Sequence, residues 1–196
     1  MSNLSRREMV GLLGLATTAT AFGCKAGDVQ RAAEHVANAT GEYHPGFFTP
    51  EEWKTVNTLV DIIIPKDDRS GSATDAGVPQ FMDFMMQENP DSQQRMRLGL
   101  AWLAREAHTR FQAPFPTATP EQQLALVDEI AWPDKVKGNE MLKEPASFFS
   151  NFRNLTASGF WSSRMGVEDI GYKGNVYRQS WDGCPAPQLE KLGLTA

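Results

Sequence analysis

The stretch Thr49-Pro50-Glu51-Glu52-Trp53-Lys54-Thr55-Val56-Asn57-Thr58-Leu59-Val60-Asp61-Ile62-Ile63-Ile64-Pro65 carries the signals of a complete helix. Thr49 is a capping residue, Pro50 suits a first turn, and Glu52 stands three residues after the cap, completing a capping box. Trp53, Val56, Val60 and Ile63 recur at helical spacing, joined by Leu59 and Ile64, so one face is apolar. Pro65 ends the run, and Lys66-Asp67-Asp68-Arg69-Ser70-Gly71-Ser72 reads as a polar loop.

The same grammar recurs downstream. A second helix is expected from near Pro79, with Phe81, Phe84 and Met85 inward. A third runs from about Ser92 to Phe111 on Met96, Leu100, Leu103, Ala107 and Phe111. Thr119-Pro120-Glu121-Gln122 repeats the Thr-Pro start and opens a fourth helix through Leu124, Leu126, Val127 and Ile130. A fifth starts near Pro145 and carries Phe148, Phe149, Phe152, Leu155 and Phe160. Alternation of β-branched residues appears nowhere. The expected fold class is therefore all-α: a compact irregular bundle of about five helices with a long non-helical C-terminal tail.

Ahead of this bundle stands MSNLSRREMVGLLGLATTATAFGC, residues 1–24. Arg6 and Arg7 precede an uncharged run from Met9 to Gly23 that is too short and too rich in Gly, Ala and Thr for a membrane span. The pattern Ser5-Arg6-Arg7-Glu8-Met9 resembles a twin-arginine export signal, the route taken by proteins already folded. Gly23-Cys24 resembles the end of a bacterial lipoprotein signal, with Cys24 acylated; Ala19-Thr20-Ala21 offers an ordinary cleavage site instead. The lipoprotein reading is preferred, and it places the chain in the periplasm at a membrane. Residues 1–23 thus read as signal, 24–46 as tether, 47–163 as helical domain, and 164–196 as a Gly- and aromatic-bearing C-terminal segment.

The 196 residues suit one domain, and 41% hydrophobic with 22% charged residues excludes wholesale disorder. Removing residues 1–23 takes away two arginines and one glutamate and moves the formal net charge from −5 to −6. An acidic chain without a Lys/Arg cluster is a poor ligand for phosphate backbones, so nucleic acid is not an expected partner. The two cysteines, Cys24 and Cys184, form no C-x-x-C pair, which excludes a zinc ribbon, a c-type haem site and a thioredoxin-like motif. If Cys24 is acylated, Cys184 is left odd in an oxidising compartment, a position that suggests pairing with another chain.

The search for chemistry is short. His35, His44 and His108 lack a second histidine three or four residues away, so a helical metal site has no support. Asp67, Asp68 and Asp75 do not form a spaced acidic series like a calcium loop and read as solvated. Ser162-Ser163 is no nucleophile elbow, and Gly171-x-x-Gly174 follows no strand and lacks phosphate-loop spacing. No catalytic, cofactor-binding or metal site is expected in this chain.

Several stretches together resemble one family. They are Phe48-Thr49-Pro50-Glu51-Glu52 with Leu59 to Pro65, Ala73-Thr74-Asp75-Ala76-Gly77-Val78-Pro79, Phe148-Phe149-x-x-Phe152-Arg153, Gly159-Phe160-Trp161-Ser162-Ser163 and Gly171-Tyr172-Lys173-Gly174-Asn175. In this order they resemble the small subunits named for gluconate 2-dehydrogenase subunit 3. The resemblance implies a helical partner of a glucose-methanol-choline-type flavoprotein that binds FAD and oxidises a sugar. A haem c protein often accepts the electrons, and the small subunit often supplies the export signal for both chains. It implies no catalytic residue here. Tyr172, Lys173, Gly174, Asn175, Tyr177, Trp181 and Cys184 are the candidate partner contacts; the same aromatics packing back on their own bundle is the alternative. Two other readings remain: a stand-alone exported helical enzyme using His44, His108 and the acidic loop, and a binding lipoprotein unrelated to redox chemistry.

Overall fold

The computed structural model describes residues 43–172 throughout, with 27, 28, 30–32 and 36 before them and 174, 177, 179, 180, 183, 184 and 186–193 after. Arg6, Arg7, Cys24, His35, Lys173, Asn175 and Trp181 lie outside the described residues. The chain is helical, with no strand among the described residues. In order come α1 (Pro50–Ile63), α2 (Val78–Glu88), α3 (Pro90–Phe111), a 3₁₀ turn (Phe115–Thr117), α4 (Pro120–Ala131) and α5 (Pro133–Val136). Then follow α6 (Glu140–Ser162), α7 (Arg164–Asp169) and α8 (Ala186–Lys191).

Both Thr-Pro starts behave as their sequences require. Thr49 accepts from the Glu52 amide while Glu52 accepts from the Thr49 amide, and Thr119 and Gln122 do the same at the head of α4. Each box satisfies two donors that a helix start would otherwise leave open.

The fifth expected helix begins five residues early. Asn139 caps α6 by accepting from the Met141 amide at 3.1 Å, and Pro145 lies inside the helix, buried, rather than at its start. A proline there removes one amide donor, but the Asn139 cap and Leu142, packed on the core, extend the helix across it. Leu124, on the expected fourth helix, faces solvent, while Gln123 beside it is buried and donates to the Phe115 carbonyl at 3.0 Å. The segment expected to be non-helical contains the short helices α7 and α8.

Helix α6 is the axis of the fold and touches α1 through α5 and α7. Phe148, Phe149, Phe152 and Phe160 point from it into one core with Val56, Leu59 and Val60 of α1, Met82 and Met86 of α2, and Leu103 of α3. Close helix approach depends on glycine at one crossing: a Cβ on Gly99 of α3 would fall 2.0 Å from the Phe148 ring. Thr156, fully buried on the same axis, donates to the Phe152 carbonyl at 3.0 Å and so leaves no hydroxyl unsatisfied.

Asp83, on α2 and fully buried, closes the N-terminal side. Its carboxylate accepts from the Gly46 amide at 2.9 Å, the Phe47 and Phe48 amides at 3.0 and 3.1 Å, the Tyr43 hydroxyl at 2.9 Å and Gln87 Nε2 at 2.8 Å. Arg97 then grips the strap formed by residues 46–48 from α3: it donates to the Phe47 carbonyl at 2.7 Å, lies 4.2 Å from the Phe47 ring centre and pairs with Glu52. Contact with the bundle begins further upstream. Ala32 is buried, Val36 packs on the core, and Tyr43 stacks on Trp53 at 5.4 Å.

Asp83→Ala strips one acceptor from five donors and is expected to lower the unfolding free energy by about 2–4 kcal/mol, read as a drop in melting temperature. Burial, together with the Asp83 carboxylate it donates to, pushes the Tyr43 hydroxyl well above its usual value. The folded state therefore holds this proton longer than the unfolded chain. The stability it contributes is full below about pH 10 and is lost as pH rises beyond. In a tyrosinate absorbance titration, Tyr43→Phe is expected to remove the last of the steps.

Candidate partner-facing surface

The C-terminal end of the bundle is an elbow. Ser163 is the single residue between α6 and α7, in extended conformation, and serves both helices. Its amide donates to the Gly159 and Phe160 carbonyls, its hydroxyl donates to Phe160 O at 2.6 Å, and its Oγ accepts from the Gly166 amide at 3.1 Å. Gly166 makes the turn possible: a Cβ there would stand 2.1 Å from the Phe160 carbonyl oxygen, so α7 folds flat against the end of α6. Ser162 also spends its hydroxyl locally, on the Gly159 carbonyl at 3.2 Å. Both serines are helix-end residues.

The far end of α7 is equally defined. Ile170 is the C-cap, Gly171 follows at φ 63°, its amide donates to Glu168 O, and the Tyr172 amide donates to Val167 O. This is the Schellman pattern, in which a left-handed residue closes the last carbonyls and turns the chain away from the helix axis. The chain leaves the bundle at Tyr172.

The polar loop after α1 reaches across to hold this piece. Asp67 accepts from the Arg69 and Ser70 amides, both at 2.8 Å, and these donors hold its carboxyl below the usual carboxylate value, with Arg69 adding a charge attraction. The turn presents Arg69 to α7, where its guanidinium donates to the Asp169 carbonyl. The same nitrogen lies 3.2 Å from Asp169 Oδ1, an ion pair without hydrogen-bond geometry. Met165 packs on the core from α7, and its Cε would sit 3.0 Å from a Cβ on Gly71.

Beyond the elbow, the described candidate contacts face solvent: Tyr172 is 50% and Tyr177 87% exposed, Gly174 is exposed, and Cys184 is a free, exposed thiol. Trp161, at the end of α6, is 41% exposed, and Ile170 is exposed as well. Tyr177 is thus almost wholly open to solvent, and Tyr172 is half-exposed. A separate groove between α3 and the start of α6 has exposed Leu98 and Met141 at its edge, with Asp91, Arg95, Arg105 and Glu144 around it.

The residues weighed for chemistry do not converge. His44 and His108 are exposed on different parts of the chain, Asp68 is solvated, and Asp75 accepts from the Ser72 amide at 3.0 Å. Among the described residues, no group of three His, Cys, Asp or Glu is placed to hold a metal ion. No helix among them is long and apolar enough to cross a membrane. Sequence reasoning missed Arg69, Asp169 and Gly166. The available signal was the spacing from Ser163 to Gly171, a cap residue and a left-handed glycine bracketing one short helix.

Residues 50–180 match the family described as gluconate 2-dehydrogenase subunit 3. No curated protein and no solved structure matches the chain.

Ser163→Ala removes the cap of α7 and is expected to cost that helix about 1 kcal/mol. Hydrogen exchange is expected to rise at the Gly166 and Ile170 amides while exchange in the middle of α6 stays unchanged.

Proposed function

This chain belongs to the gluconate 2-dehydrogenase subunit 3 family, and we propose that it is the non-catalytic small subunit of an exported, FAD-dependent sugar or polyol dehydrogenase. The family match over residues 50–180 carries the reading. A subunit of a dehydrogenase complex works in an oxidoreductase without itself needing the redox group. In this proposal FAD sits in a glucose-methanol-choline-type large subunit, and a haem c protein takes the electrons.

The role left for the small chain is assembly, export and stability of that flavoprotein. Arg6 and Arg7 provide a signal for folded cargo, and the cargo that needs folding is the flavin-loaded partner. Cys24, acylated, holds the pair at the periplasmic side of the membrane. Tyr172, Lys173, Gly174, Asn175, Tyr177 and Trp181 are the contact segment. Exposed aromatic side chains support that assignment, since burying each contributes about 1.5–3 kcal/mol. Cys184, free in this chain, is available for a disulfide to the partner.

The test uses the full chain, tagged at its C-terminus and expressed in its own host. The wild type is expected to bring down a larger FAD-containing chain from the cell envelope in fixed ratio. Replacing Arg6 and Arg7 by lysine is expected to leave both chains in the cytoplasm. A tagged protein that purifies from the envelope without any flavin-bearing chain overturns the reading.

A further inference from the structure

The elbow between α6 and α7 does more than end the bundle. It fixes where the C-terminal segment departs, and three local contacts with one from a distant part of the chain define that point. Gly166 lets α7 lie on the Phe160 carbonyl, Ser163 joins the two helices through both its hydrogen-bonding functions, and the Gly171 turn releases the chain at Tyr172. These three are local. Arg69 is not: it stands 100 residues before Asp169 and bonds to the carbonyl of the last residue of α7.

An exposed arginine of this kind adds little to global stability, because ion pairs between solvated groups are screened. Arg69 is 69% exposed and Asp169 only 12%, so the pair seals one side of α7 without entering the core. Asp67 exists in the turn to present it, through bonds to the Arg69 and Ser70 amides. A turn, a cation and a helix end are thus arranged around one outcome, the direction of the chain at Gly171 and Tyr172.

We propose that the α6–α7 elbow, locked by Arg69 on Asp169, is the mount that aims the C-terminal segment at the flavoprotein partner. The proposal rests on the subunit reading above and adds to it a mechanism of affinity. A segment whose first residues are already oriented loses less freedom on docking than one that must be ordered at that moment. Arg69 is then a positioning residue: it acts on the partner through Tyr172 and Tyr177 and does not touch it.

The experiment compares wild type, Arg69→Ala, the double variant Tyr172→Ala/Tyr177→Ala, and the combination of all three changes. Each is the full chain, titrated against the FAD-containing chain that co-purifies with the tagged wild type. Melting temperature and hydrogen exchange are recorded on each. Arg69→Ala is expected to raise exchange at the Ile170 and Tyr172 amides, to leave the melting temperature within a degree or two, and to weaken binding about tenfold. The tyrosine variant is expected to weaken it by at least as much. The combination is expected to be no weaker than the tyrosine variant, because both changes act through the same segment.

Wild-type affinity in Arg69→Ala, with the tyrosine variant impaired, overturns the mount and leaves the subunit reading standing. Additive losses in the combination also overturn it, since Arg69 would then be a direct contact. Unchanged exchange at Ile170 and Tyr172 in Arg69→Ala shows the lock to be idle and has the same consequence. If every variant binds like the wild type, the C-terminal segment is not the contact and the mount has nothing to aim. If no flavin-bearing chain accompanies the wild type, the subunit reading falls first and the mount with it.

Discussion

A carboxylate with five donors around it organises the N-terminal half of this molecule. Asp83 is fully enclosed, and an enclosed carboxylate is tolerated only where its oxygens are hydrogen-bonded. Its donors come from three places: the helix it stands on, through Gln87; the strap, through three successive amides; and Tyr43, whose ring stacks on Trp53 of α1. The strap cannot take this shape unless α2 is in place, and Phe48 cannot reach the core unless the strap does. Arg97 binds the outer side of the strap and carries the constraint on to α3 and to the capping box of α1 through Glu52. Four elements are tied by one side chain and one guanidinium.

The parts of this that were legible in the sequence are the local ones. Thr49 with Glu52 and Thr119 with Gln122 specify their caps within four residues, and the apolar stripes specify which face of each helix turns inward. Pro145 misled because proline favours helix starts, and the weaker cap at Asn139 lay six residues upstream. Asp83 carried a signal of its own, an acidic residue between Met82 and Phe84 at a core-facing position. Four of its five donors, however, are 35 to 40 residues away along the chain, and no local pattern names them. Helix α7 was too short to show a period, so only its two ends could have revealed it.

Function was legible in a different sense. The family resemblance rested on motif order, and the structure gives several of those motifs a mechanical role. Ala73 to Pro79 carries the end of the α1–α2 link into the first turn of α2, with the Thr74 amide on Asp61 at 2.8 Å and Gly77 at φ 77°. Phe148, Phe149 and Phe152 are the core of the central helix, and Gly159 lets it approach Phe81. Each of these residues has a packing or backbone role in holding the helix axis in register.

The N-terminal segment and α7 meet on the same link. A Cβ on Gly77 would lie 2.7 Å from Val36 Cγ1, so the N-terminal segment rests on the head of α2. Gly71, six residues earlier in the same connection, receives Met165 of α7, and Arg69 just before it holds Asp169. Val36 and α7 are therefore seated on one connection, the link from α1 to α2. In the proposed subunit, a partner gripping the C-terminal segment at Tyr172 would pull on α7, and α7 is fastened to the loop against which Val36 packs.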